Sequence, residues 1–507
     1  MKRIGSFVIV LIIIMGGCSS NSDEDSEKEL TVATTTTADS LDPHNTTDTA
    51  SKNIFAVSTE TLVKLDEDGE VVPSLAKDWE EKDDGKTWVF KLEEDVTFHD
   101  GEPFNAEAVK TNFERVTDED KNLARYSLLG PYIDEIIADE DNNEVTFHLN
   151  KSLAPFLNLL AQPSGSSIVS PKMIEEDEES IKENPVGTGP YEIKDWSPTG
   201  DTIFVANTEY WGDSPQVDKI TWKSVPENSA RATMLENGEA DIIVNVLDVD
   251  IDRLDKMDGI SVETEPLNRA LYVGVNTEFE PFDSKEARQA LNYAINKEEL
   301  SEDLYKGEVT VSTAAVSEQV SMHSDVGAYP YDKEKAKKLL EEAGVEEGTE
   351  ARLIAAENVT RDHRAGEYVQ NSLQEIGLDV KYQEVELSDY LSRLENPEEY
   401  ELFLRGSLPS SNDIHDLFSD ELDSESDNNY SQYSSTKVDE LISNGAQEMD
   451  EAARKEIYKE ALETIKEDAP WIFLYDDVVS TGISDDVEGL ILTPDNTMYF
   501  DDISKKE

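Results

Sequence analysis

The chain has 507 residues, with 113 Asp and Glu against 44 Lys and Arg, so its formal net charge is −69. Competition for nucleic-acid phosphates needs a basic face that displaces counterions, and no window of this chain supplies one, which excludes nucleic acid as a partner. With 37 % hydrophobic residues, among them 15 Phe, 18 Tyr and 6 Trp, the chain has apolar material for a substantial core, which excludes an acidic disordered tail.

At the N-terminus, Lys2 and Arg3 precede an unbroken apolar run from Phe7 to Met15, and Gly16, Gly17 and Cys18 follow. This is the layout of a secretory signal. The run is too short to span a bilayer, which takes about 20 apolar residues. Cys18 is the one cysteine of the chain, so it has no partner for an internal disulfide, and residues 18–29 form a polar tether. The segment resembles a bacterial lipoprotein signal, covering residues 1–17, whose cysteine becomes the acylated first residue. That resemblance implies a lipid anchor on Cys18 at the extracytoplasmic face of the cell membrane.

Past residue 30 no apolar segment reaches spanning length, and about 480 residues suggest two or three lobes. Leu30–Thr34 and Thr87–Leu92 read as strands, because β-branched and aromatic residues recur in them. Asp84-Gly85 before the second of these is a hairpin signal, and Trp79, Trp88, Phe90 and Phe98 are core candidates. Gly187 and Gly189 flank Thr188 ahead of Pro190, where the chain is expected to turn tightly between lobes. Ala336, Leu339, Leu340 and Ala343 lie on one helical face, with Gly344 as C-cap. A strand Ala351–Ala356 follows, then a helix with Ala365, Val369, Leu373 and Ile376 on one face and Gly377 as its stop. Leu378–Val385 and Tyr400–Leu404 read as further strands. Strand and helix in alternation predict an α/β lobe.

The carboxylates are spread over the whole length. We read them as a solvated acidic surface of a salt-adapted protein, in which high ionic strength screens self-repulsion, with cation collection as the alternative. Signatures of catalysis are missing. Pro163-Ser164-Gly165-Ser166-Ser167 lacks the frame of a nucleophile elbow. Neither H-E-x-x-H, C-x-x-C nor a P-loop occurs, and Gly187-Thr188-Gly189 runs into Pro190, which has no N–H for a phosphate. The six histidines fall in six separate segments. No enzyme and no cofactor is expected.

Four blocks point in one direction: Val72–Trp79 continuing through Asp84–Phe90 to Phe98–Val109; Pro185–Tyr191 with Asn207 and Tyr210-Trp211-Gly212; Arg231-Ala232 with Gly238–Ile242; and Gly274–Asn276, Pro281-Phe282 and Arg288–Ile295. In order and spacing the chain resembles the family 5 extracellular solute-binding lipoproteins of peptide and nickel importers, the receptors of ATP-binding-cassette (ABC) transporters. The resemblance implies an α/β, two-lobed periplasmic-binding-protein-like fold of the type II, large peptide-binding subclass. It implies a discontinuous N-terminal lobe, residues 30–268 plus 477–507, and a second lobe, residues 269–476. The chain crosses between them in Asn268–Val275 and Ala469–Tyr475. It further implies a monomer that closes on a ligand by hinge motion and is read by permease subunits.

In peptide receptors of this family an acidic residue in a second-lobe loop pairs with the ligand amine. The corresponding loop here is Gly406–Phe418, so Asp413 is the implied amine acceptor, with Asn412 or His415 as a neighbouring donor; Ile414 stands where the family has proline. As plain loop residues the same side chains read as an Asx-turn and a solvated histidine. Nickel receptors use a pocket arginine, tryptophans and a histidine, but where the arginine is expected this chain has Gln162–Ser166. Ser407 replaces a tryptophan, and the later segment carries Tyr430 and Tyr433 without a histidine. Arg125 and Tyr126 can offer a cation and a ring to a ligand carboxylate, and Ser164 and Ser166 can offer hydroxyls. Short peptides are the first expected ligand, with Tyr430 also in the binding set; a nickel or other metal chelate is the alternative.

Overall fold

The computed structural model describes residues 28–357, 363–409 and 411–506. The apolar run, the signal region and Cys18 lie outside these.

Two long strands, Ile260–Val275 and Trp471–Ser484, run antiparallel and organise everything else. Their register pairs Ile260 with Ser484 through Pro266 with Val478, slips, and resumes from Ala270 with Asp476 to Gly274 with Trp471, with a second, one-residue shift between Leu271 and Tyr272. On one side of the slip the sheet grows through Ile242–Ile243, Glu29–Thr34, Lys219–Ser224, Thr202–Ala206 and Tyr191–Asp195. On the other it grows through Leu402–Ser407, Glu350–Ala356 and Asp379–Val385. Trp471–Ser484 is buried along nearly its whole length, and its sequence, WIFLYDDVVSTGIS, has the near-continuous apolar start of a strand covered on both faces.

The cores divide accordingly. One group gathers Leu271, Val273 and Val275 with Leu291, Leu353, Val369 and Leu404, and around Tyr272 and Trp471 with Phe403, Phe418 and Tyr458. Tyr272 and Trp471 stack with ring centroids 3.9 Å apart. The other group packs Leu30, Val32, Phe204, Ile220 and Trp222 with Ile483 and Phe500 from the C-terminal stretch. A four-stranded antiparallel sheet, Ala76–Lys82, Thr87–Leu92, Glu144–Leu149 and Ile133–Asp139 in that spatial order, carries a third core. Its first hairpin turns at Asp83, Asp84 and Gly85, all with positive φ, as the Asp-Gly signal requires.

The second-lobe pattern appears as helix Lys333–Glu342, strand Glu350–Ala356, helix His363–Gln374, and strands Asp379–Val385 and Leu402–Ser407. The last strand starts later than the predicted Tyr400 because its ladder begins where Leu402 meets Val275. Trp88, Phe90 and Phe98 are buried, but Trp79 is only half-buried on a strand whose other side chains mostly face solvent. Gly187 and Gly189 do not turn the chain between lobes. They lie within the first lobe, where a Cβ on either would strike the backbone around Ser58 and Thr59, and the Gly189 N–H donates to the Ser58 carbonyl at 3.1 Å. Close backbone approach, not turning, is what these glycines permit.

Candidate ligand-binding site between the lobes

The loop after strand Leu402–Ser407 ends in helix Ile414–Glu421, and Asp413 caps it by accepting the His415 N–H at 2.9 Å. An Asp at this position satisfies one of the orphan donors of the first turn. The same carboxylate takes a bidentate pair from Arg454, Nη1 to Oδ2 at 2.7 Å and Nη2 to Oδ1 at 2.6 Å. Asp413 is fully buried and Arg454 5 % exposed. Burial works to lower the Arg454 pKa, but the carboxylate outweighs it and holds the pKa above its ordinary value. Asp413 therefore does not offer the open carboxylate expected of an amine acceptor. A ligand amine would have to displace an internal guanidinium, and these bonds tie the loop to the Arg454 helix.

Asn412 spans the lobes. Its Nδ2 donates to the Gly69 carbonyl of the first lobe at 3.2 Å and its Oδ1 accepts from Asn268 Nδ2 at 3.1 Å. Gly69 has φ +79°, and a Cβ there would lie 2.6 Å from Asn412 Nδ2. Both the left-handed backbone and the close approach call for glycine.

His415 sits in the first turn of the helix, 8 % exposed, with Nδ1 enclosed and without a hydrogen-bond partner among the described residues. Burial pushes its pKa down to about 4, so the imidazole is neutral at ordinary pH. It lines a cavity of about 140 Å³ together with Ser411, Asp416 and Asp420 of the same lobe and Ser127, Tyr132 and Leu159 of the first lobe. Ser411 is fully buried and its Oγ is likewise unpartnered, while its backbone N–H donates to Asp416 Oδ2 at 2.9 Å.

Arg125 stands two residues before the cavity-lining Ser127 and Leu128 and does not itself line the cavity. Its Nε donates to the Thr46 carbonyl at 2.8 Å. Burial lowers its pKa to about 10, and the Asp416 carboxylate of the other lobe opposes that shift, so the guanidinium stays charged. Gly165, with φ +105°, lies beside it, where a Cβ would come 3.4 Å from the Arg125 Cβ. This brings Ser164 and Ser166 to the same corner. Ser164 Oγ is buried without a partner among the described residues, whereas Ser166 Oγ is spent on the Leu159 carbonyl at 2.9 Å. Tyr126 is half-buried and lays its ring over Gly130. Tyr430 is not brought to the cavity. It stands with Arg405, whose guanidinium lies 5.1 Å from the ring centroid, and its carbonyl accepts from Tyr400 Oη at 2.7 Å. Sequence reasoning missed Ser411, Asp416, Tyr132 and Arg454; helical spacing from the Asp413 cap was the one signal that could have found Asp416 and Asp420 on one face.

Away from the cavity the lobes also meet where the Ala154 N–H donates to the Ala446 carbonyl at 2.8 Å and where Met449 packs on Gly85. Lys306 Nζ reaches the Asp248 carbonyl at 2.8 Å. Within the first lobe, Glu60 accepts from Thr188 Oγ1 at 2.6 Å and from Tyr210 Oη and Trp211 Nε1 at 2.9 Å each. Burial raises its pKa to about 7 despite these donors. Among the described residues no group of three or more His, Cys, Asp or Glu is placed to hold a metal ion, and no helix is long and apolar enough to cross a membrane.

Two α/β lobes joined by paired crossing strands, with a polar cavity between them, define the class of hinged binding proteins that enclose a solute. The profile of the bacterial extracellular solute-binding proteins, family 5 (middle part), matches residues 70–429, and the chain belongs to that family. The glutathione-binding protein GsiB of Pectobacterium atrosepticum is 30 % identical over 480 residues, 93 % of each chain. Among solved structures, the DppA periplasmic binding protein of Helicobacter pylori in complex with peptide STSA superposes with a TM-score of 0.81 at 26 % identity, covering 94 % of this chain and 98 % of that one. NikA of Brucella suis in complex with Fe(III)-EDTA superposes with a TM-score of 0.86 at 24 % identity, covering 95 % and 100 %. The family and fold are those of substrate-binding proteins of ABC transporters and not of enzymes.

Proposed function

We propose that this protein is the receptor of an ABC importer that encloses short peptides between its lobes and delivers them to the permease subunits. The observation that carries this reading is the interlobe cavity. Asp416, Ser411 and His415 line its second-lobe wall, Ser411 Oγ and His415 Nδ1 without a hydrogen-bond partner among the described residues, and charged Arg125 lies on the first-lobe side behind the lining Ser127 and Leu128. Buried polar groups left unsatisfied cost stability unless something else completes them. Opposite charges on the two lobes beside this cavity suit a ligand that bears both an amine and a carboxylate. The relatives named for glutathione and the neighbour holding a peptide support the same class. In this reading Arg125 and Ser164 receive the ligand carboxylate, Asn412 ties the closed lobes, and the hinge lies at residues 267–269 and 477, dividing the chain into 30–268 plus 477–507 and 269–476.

Isothermal titration calorimetry of residues 19–507 with di- to pentapeptides tests it. Saturable 1:1 binding is expected, and absence of binding across the panel would reject it. A metal-chelate receptor is the second reading, favoured by the unpartnered His415 imidazole and the likeness to NikA; binding of nickel with histidine, and of no peptide, would establish it instead. Three further parts of the proposal rest on sequence: a lipid anchor on Cys18 that holds the receptor at the membrane surface, a monomeric state, and adaptation to salt. The −69 charge supports the last, and a melting temperature that rises between low and molar salt is its check.

A further inference from the structure

Strand Trp471–Ser484 carries a short strand of each lobe on the edge not taken by Ile260–Val275. Ile242–Ile243 of the first lobe pairs with it at Ile483 and Gly482, and Thr310–Val311 of the second pairs at Asp476 and Tyr475. Asp477, at the proposed hinge, lies between them, so a twist there moves these two neighbours against each other. Charged groups fill the corner they form. Helix Asp248–Leu254 follows the first short strand, and Lys306 stands just ahead of the second. Lys306 Nζ donates to the Asp248 carbonyl at 2.8 Å and lies 3.9 Å from Asp252 Oδ2. Arg364, from helix His363–Gln374 of the second lobe, brings Nη2 to 3.7 Å from Asp248 Oδ2, with its guanidinium 5.9 Å from the Tyr305 ring centroid. Asp248 is buried here although its neighbours Leu247 and Val249 are exposed. None of these residues lines the cavity that holds His415.

Both proposed lobes are strongly acidic, with Asp and Glu outnumbering Lys and Arg more than two to one in each. Bodies of like charge repel as they approach, over a range of about 10 Å at 0.1 M salt. Cations of one lobe seated on carboxylates of the other offset that cost where the hinge angle sets their separation. Asp248 and Asp252 are four residues apart and so share one helical face, which lets both cations reach it. We propose that Lys306 and Arg364 on Asp248 and Asp252 form an ionic clasp that favours the closed lobes, so that the clasp as well as the ligand sets how far the receptor stays shut. The proposal rests on the two-lobe hinge reading and requires no particular ligand. Added salt weakens the clasp and the repulsion alike, so the two are separated by substitution.

Residues 19–507 hold no cysteine, so one cysteine introduced at an exposed site of each lobe takes a donor and an acceptor dye. Single-molecule energy transfer, without added ligand, then reads the ratio of closed to open molecules, and a thermal melt checks that each variant keeps the fold. Lys306→Gln combined with Arg364→Gln is expected to lower the ratio about threefold to tenfold at low salt, the worth of two partly exposed charge pairs. In molar salt, where charges are screened within about 3 Å, variant and wild type are expected to agree to about twofold. Asp252→Asn, at an exposed position, is expected to show a smaller loss of the same kind. Lys338→Gln combined with Lys381→Gln removes two exposed cations elsewhere on the same lobe and is expected to leave the low-salt ratio near that of the wild type. An unchanged ratio in the clasp variant, an equal loss in the Lys338 and Lys381 variant, or a loss that persists in molar salt overturns the clasp and leaves the calorimetric test of peptide binding untouched. A single interlobe distance in the wild type at every salt concentration overturns the clasp and the hinge together.

Discussion

Asp413 and His415 are two residues apart, at the start of one helix, and both are buried, yet they meet opposite fates. Asp413 has an internal donor for each oxygen, from Arg454 and from the backbone of His415 itself. His415 has an enclosed nitrogen, Nδ1, without a hydrogen-bond partner among the described residues. A satisfied buried polar group reports on how the loop is held, and an unsatisfied one points to what the loop is held for. The distinction separates positioning from binding where chemical type alone cannot, since an aspartate looks the better amine acceptor on paper.

The sharpest way to break this contrast is to orphan Asp413. Arg454→Met leaves a fully buried carboxylate uncompensated and is expected to cost about 3–5 kcal/mol in urea unfolding. Asp413→Leu combined with Arg454→Met should recover much of that, because the pair is then removed together. A smaller effect tests the first-lobe cluster around Glu60, whose carboxyl holds its proton more tightly in the folded chain than its ordinary value of 4.5 allows. Folding stability from this group is full below that value and is lost as the pH rises through about 7. Between pH 5 and pH 8 the wild type should therefore lose about 1–2 kcal/mol more than Glu60→Gln, measured by chemical unfolding at each pH. The smallest effect concerns Asn412. Asn412→Ala removes the bond to Gly69 and should weaken ligand affinity by about 0.5–1.5 kcal/mol with little change in melting temperature, since the bond exists only with the lobes together. A large fall in melting temperature instead would place Asn412 with Asp413 among the groups that hold the loop.

Much of the second lobe was legible in the sequence, because Ala365, Val369, Leu373 and Ile376 lie at helical spacing and short strand-like runs stand on either side, EARLIAA before and DVKYQEV after. Local periodicity encodes which face is buried. The tertiary partners are another matter. Nothing near Asp413 announces Arg454, which lies 41 residues on, and nothing near Gly187 announces the Ser58 backbone it must approach. The chain could suggest that the 406–418 loop faces a ligand. Which of its polar side chains are already spoken for depends on long-range pairing that spacing does not record. Tyr430 shows the same limit, since its position in the chain gave no sign that Arg405 and Tyr400 hold it away from the cavity.

The register slip between Pro266 and Ala270 bears on how such a molecule moves. Leu267, Asn268 and Arg269 have no ladder partners across the sheet, and the Asn268 N–H goes instead to the Pro494 carbonyl at 2.8 Å. Arg269 pairs with Asp477 directly opposite. Rotation of one half of the sheet against the other about this point breaks no rung of the ladder on either side. In the proposed hinge reading the soft coordinate would be torsion over these three residues, with the Arg269–Asp477 ion pair at its axis. The two crossing strands would then act as a torsion bar, and a swing of the lobes about it would need no melting of secondary structure.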